Sequence, residues 1–155
     1  MLFDGRNFKG NNYFTTKGIV RREINNVKLK RLVNASSGII RLFCLRADTV
    51  LERITDISFP NHPKYRQLTD TLEAFLLSIR KDDDEKQHDA ILLSNSHIWA
   101  VTNPALNSPY FLTSDKKDIF DHHPEITQRV TSCLASSCPL KIDYLPYFIQ
   151  RGIAS

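Results

Sequence analysis

The clearest hydrophobic periodicity in the chain runs from His62 to Lys81, HPKYRQLTDTLEAFLLSIRK. Its larger apolar residues are Tyr65, Leu68, Leu72, Phe75, Leu76 and Ile79. Steps of three, four and one place them on one stripe of an α-helix. Pro63 suits the first helical turn, where its missing amide hydrogen has no intrahelical partner. Arg80 and Lys81 come at the end that favours cations. A second helical pattern follows Pro124, with Ile126, Val130, Cys133 and Leu134 along one stripe of EITQRVTSCLASS, and Pro139 stops it.

Other stretches carry strand-like patterns. In residues 18–33, GIVRREINNVKLKRLV, a tight turn at Asn25-Asn26 makes a hairpin, because asparagine tolerates positive φ. Alternation then sets Val20, Ile24, Val27 and Leu29 on one face, with Arg21, Glu23, Lys28 and Lys30 on the other. A helix is the main competitor there. Residues 38–45, GIIRLFCL, form a nearly continuous run of β-branched and aromatic character, the mark of a central strand. Asp48 can cap a short helix, TVLERITDI, before Pro60. Residues 90–101, AILLSNSHIWAV, read as two strands around Asn95-Ser96 or as one bent strand.

Between these elements the polar runs read as loops and caps. DDDEKQHD at 82–89 is expected to be a solvated acidic loop, and Asn103 to Pro109 a loop with two prolines. Tyr110 to Thr113 suits a short strand. Ser114 offers an N-cap for a helical stretch to Phe120. The tail LKIDYLPYFI suits an edge strand, since Pro146 excludes it from a sheet centre. Residues 1–16 look like an arm or edge segment, and 17–155 like a single α+β domain with a mixed or antiparallel sheet and three or four helices.

Composition changes this picture little. At 155 residues, 41% apolar and 25% charged, the chain has the makeup of an ordinary globular domain. Its start, MLFDGRNFKG, lacks the apolar core of a secretory signal, and three cysteines are an odd number for a disulfide framework. A cytoplasmic, reducing setting is the expectation, with no membrane involvement.

Charge changes more. The chain totals +4, but residues 1–34 hold eight cations against two anions, or +6, leaving −2 for the rest. A local basic lobe steers and holds an anionic partner. Arg21, Arg22, Lys28, Lys30 and Arg31 are the expected contact residues, Arg as a bidentate phosphate binder and Lys as a point charge. Tyr13 and Phe14, just upstream, are placed to stack a base. RNA or DNA is the first expected partner and an acidic protein the second. No RNP, KH or helix-turn-helix signature accompanies the lobe.

The remaining chemistry-bearing residues have plain structural readings. Cys133 and Cys138 in CLASSC are spaced too far for the usual zinc pair, and His122-His123 are adjacent, so no metal or cofactor is expected. Cys44 suits a buried small apolar position, although His97 would serve as a base if the fold brought the two together. Asp121 or His123 suits a helix cap, with Glu125 in the first turn. The lone Trp99 suits a core, and the aromatic tail Tyr144 to Ile149 offers an alternative, protein-binding surface.

Leu45-Arg46-Ala47-Asp48-Thr49 resembles the arginine-bearing first strand of cholera-toxin-like ADP-ribosyltransferases. The resemblance implies a strand that bears Arg46 and a role for that residue in binding NAD. It covers five residues. The family's Ser-Thr-Ser strand and Glu-x-Glu pair are missing, Leu112-Thr113-Ser114 and the solitary Glu125 being the nearest approaches. The expected function is therefore a non-catalytic binding or regulatory protein, with an ADP-ribosyltransferase-like enzyme as a distant alternative.

Overall fold

The computed structural model describes residues 13–79, 83–105 and 109–153. It forms two compact units, Met1–Ser58 and Phe59–Ser155. Helices dominate both. The expected α+β class is corrected accordingly: the described strands make only two two-stranded parallel sheets, and no antiparallel sheet occurs among the described residues.

In the N-terminal unit, β1 (Phe14–Thr15) leads into α1 (Lys17–Arg31), which is followed by α2 (Ser37–Glu52) and β2 (Thr55–Asp56). The strands pair Phe14 with Thr55 and Thr15 with Asp56. Two further bonds fasten them. Thr16 Oγ1 donates to the Ile57 carbonyl at 3.0 Å, and the Lys17 amide donates to Asp56 Oδ1 at 2.8 Å. The start of α1 is thereby tied to the end of α2. The short 32–36 link makes the two helices packing neighbours.

Both helices correct a strand expectation. The Asn25-Asn26 hairpin is absent: both residues lie inside α1, where thirteen other residues supply an uninterrupted helical run with no proline. The expected central strand 38–45 is the first half of α2. A short apolar run fits either state, and here a cap decides it. Ser36 adopts extended backbone and its Oγ accepts from the Ile39 amide, opening a helix that continues through the segment expected to start at Asp48. Residues 1–12 of the expected N-terminal arm lie outside the described residues.

The C-terminal unit is built on α3 (Tyr65–Ile79), α4 (Asp83–Thr102) and α5 (His123–Leu134). Leu68, Leu72 and Leu76 are fully buried along α3, as the sequence periodicity requires, and pack with Leu93, Ile98, Ile126 and Val130. Pro63 stands two residues ahead of α3 rather than inside it. The acidic segment is not a loop: α4 begins at Asp83, and anions in a first helical turn are favoured by the dipole. Residues 90–101, expected as strands, are the interior of α4. Leu93, Ser94, Asn95, His97, Ile98 and Ala100 are all buried, which is the signature of a helix enclosed on most sides. Asn95 does not turn the chain. Its Oδ1 accepts from the Phe59 amide at 2.8 Å.

β3 (Tyr110–Thr113) forms where expected and pairs in parallel with β4 (Lys141–Tyr144). The connection is a π-helical turn, Lys116–Phe120, followed by α5. Asp115, rather than Ser114, caps that turn by accepting from the Asp118 amide at 2.9 Å. Only the first part of the tail is strand. From Leu145 to Ile153 it is α6, with Pro146 in the first turn, where proline is tolerated. No helix among the described residues is long and apolar enough to cross a membrane.

Candidate functional site

The five expected contact residues all lie on α1. Arg21, Arg22, Lys28 and Lys30 are exposed, and the side chain of Arg31 lies outside the described set. A helix spaces them differently from a ribbon. Arg21 and Lys28, seven residues apart, share one stripe, and Arg22 shares the next with Leu29. The cations therefore do not form one flat face; they surround the outer side of α1.

The structure adds cations that the sequence reading left out. Arg41 and Arg46 are exposed on α2, and Arg53 is exposed just past its end. From Ile24 to Ala47 the chain has no Asp or Glu, while it carries Lys28, Lys30, Arg31, Arg41 and Arg46. That signal was present in the sequence, hidden because 38–45 was read as a buried strand. Charge also follows the division of the chain. Residues 1–58 hold eleven cations and five anions, net +6; residues 59–155 hold ten and twelve, net −2.

Apolar side chains stand among these cations. Leu29 is 72% exposed, Val33 71%, Ile39 56%, Leu42 49% and Leu45 62%. Ile39, Leu42 and Leu45 follow steps of three along α2, a single stripe. Arg46, four residues after Leu42, lies on the same stripe, and Arg41 borders it together with the exposed Asp48 and Glu52. The N-terminal unit keeps few residues to cover them: its buried apolar side chains among the described residues are Ile19, Leu51 and Ile57.

The other candidates separate. Arg46 lies on the exposed side of a helix, not on the strand that the ADP-ribosyltransferase resemblance implies. Cys44 is half-buried on α2 in the N-terminal unit, whereas His97 belongs to α4 of the other unit. His97 Nδ1 lies 2.7 Å from the Leu93 carbonyl oxygen, and burial lowers its pKa from 6.5 to about 4. Cys133 points its Sγ at Thr71 Oγ1, 3.6 Å away, and burial pushes the Cys138 thiol upward. His122 lies 3.9 Å from Glu125, and His123 Nδ1 lies 2.8 Å from the Phe120 carbonyl oxygen. No group of three or more His, Cys, Asp or Glu among the described residues is placed to hold a metal ion.

In the C-terminal unit the aromatic tail is engaged internally. Phe120, Tyr144 and Tyr147 pack with centroids 5.0–5.9 Å apart, and Tyr110 packs on Phe148 at 5.4 Å. Arg151 pairs with the mostly buried carboxylate of Asp143. Lys116 stands over the Tyr147 ring, and its hydrogen bond to that residue raises its pKa. An open groove of about 550 Å³ is lined by Asp70, Thr71, Ala74, Phe75, Ser78 and Arg129. Both its charges have neighbours: Arg66 reaches Asp70 at 3.9 Å, and the Arg129 guanidinium stacks 3.9 Å above Phe75.

No protein-family model matches the chain, and no curated protein or solved structure does.

Proposed function

We propose that this is a binding protein whose N-terminal unit holds an anionic macromolecule, with Arg21, Arg22, Lys28 and Lys30 of α1 and Arg41 and Arg46 of α2 as the charge contacts. The observation that carries the reading is the acid-free stretch from Ile24 to Ala47, folded into two neighbouring helices with exposed cations. A surface of one sign raises the local concentration of an anionic partner and speeds its association. Nucleic acid is the polyanion expected from charge alone, and Arg on exposed helix stripes suits phosphate.

Retention on immobilised heparin, alongside anisotropy of labelled RNA and DNA over a salt series, tests the reading. The chain is expected to elute well above physiological salt, with affinity falling as counterions are released. Lys28→Glu with Lys30→Glu should bring elution close to the void. Both residues are exposed, so the fold should persist, which far-ultraviolet circular dichroism checks. Elution of the unaltered chain in the void, or unchanged retention of the double variant, ends the proposal.

A further inference from the structure

The exposed leucines and isoleucine of α2 are unexplained by charge. A phosphate backbone gains little from aliphatic side chains, since its contacts are made by cations and hydrogen-bond donors. A surface that is anionic at its edge and apolar beneath uses both. We propose that α1 and α2 together dock on an anionic lipid surface, with Leu29, Val33, Ile39, Leu42 and Leu45 entering the boundary between headgroups and acyl chains. The inference rests on the anionic-partner reading above and names the source of the anion.

Three features support this occupant. The apolar residues lie on the outer side of the helices rather than under them, and Ile39, Leu42 and Leu45 form one continuous stripe. Arg46 lies on that stripe and Arg41 beside it, and their long stems let the guanidinium heads rise to the lipid phosphates while the stripe sinks below. The exposed Asp48 and Glu52 of α2 offset its two arginines, so the cation excess that meets the negative surface comes from α1, where Arg21, Arg22, Lys28 and Lys30 are exposed. An apolar stripe next to basic side chains lies in the interface plane, its apolar side about 5–10 Å deep. Docking on a lipid surface departs from the expectation of no membrane involvement, which rests on the lack of an apolar span and so bears on crossing a bilayer.

The test is co-sedimentation of the full chain with vesicles of phosphatidylcholine alone and of phosphatidylcholine with about a third phosphatidylserine. The unaltered chain should partition at least about tenfold more strongly onto the anionic vesicles, because each cation near the surface adds to binding. Leu42→Gln with Leu45→Gln should lower that partitioning at least about tenfold while leaving heparin retention as it was. The comparison of the two vesicle types needs no variant, so it decides even if the double variant folds poorly. Heparin retention without vesicle binding overturns the lipid proposal and leaves the anionic-partner reading standing. Loss of both overturns both. Vesicle binding indifferent to the leucine pair overturns the docking geometry. A concentration-dependent dimer abolished by the leucine pair overturns it too, assigning the stripe to a second copy.

Discussion

Nδ1 of His97 lies 2.7 Å from the carbonyl oxygen of Leu93, one turn earlier in α4, while Nε2 of the same ring is buried with no hydrogen-bonding partner among the described residues. A carbonyl only accepts, so Nδ1 carries the proton and Nε2 is a buried bare lone pair. Protonating Nε2 would place an uncompensated charge in the core.

Stability at acid pH follows from that geometry. The folded-state pKa of His97 is lowered from 6.5 to about 4, so the unfolded chain takes up the proton first as pH falls. The contribution is complete above pH 6.5, declines as pH drops toward 4, and levels off below. A shift of that size corresponds to about 3 kcal/mol. Urea denaturation at pH 7 and at pH 4, followed in the C-terminal unit by Trp99 fluorescence, should show a larger acid loss in the unaltered chain than in His97→Leu. Equal losses would mean that the ring is solvated.

Burial predicts opposite outcomes for two helical leucines. Leu72 is fully buried on α3 and Leu42 is 49% exposed on α2. Leu72→Ala should destabilise the C-terminal unit by roughly 2–5 kcal/mol, through lost burial and the cavity left behind. Leu42→Ala should change stability by less than about 0.5 kcal/mol. Chemical denaturation of both variants checks the contrast. A large loss from Leu42→Ala would place that side chain inside a packed structure and remove it from any docking stripe.

The same two residues show where the sequence was readable. Leu72 belongs to a long pattern in which one stripe is apolar and the rest polar, and such a pattern admits one period. β3 and α5 were legible for similar reasons, each being bounded by proline or polar residues that fit only one arrangement. Leu42 belongs to GIIRLFCL, where every residue except Arg41 and Gly38 is apolar, so helix and strand periods fit equally. The reading as a buried strand then hid both the exposed stripe and the acid-free stretch around it. Asn25-Asn26 and Asn95-Ser96 misled in another way. They are local turn signals, and tertiary packing overrode them: Asn95 spends its Oδ1 on the Phe59 amide instead of on its own turn. The cations of α1 were legible as residues but not as a surface, because their grouping depends on the period of the element that carries them.

Ala135 supplies the last prediction. It ends α5 in the left-handed region, at φ 51° and ψ 33°, where the Cβ crowds the following carbonyl. Glycine has no such crowding, and helices commonly end on one. Ala135→Gly removes a strain of roughly 1–2 kcal/mol. It also frees the unfolded chain, which takes back about 0.4–1 kcal/mol. The balance favours the folded state by roughly 0.5–1 kcal/mol, a rise of a few degrees in Tm for a unit of this size. Ala135→Val should move the other way, since a β-branched side chain tolerates positive φ least. Thermal melts of the two variants beside the unaltered chain decide it. A lower Tm for Ala135→Gly would show that the α5 terminus relaxes out of the left-handed region in solution.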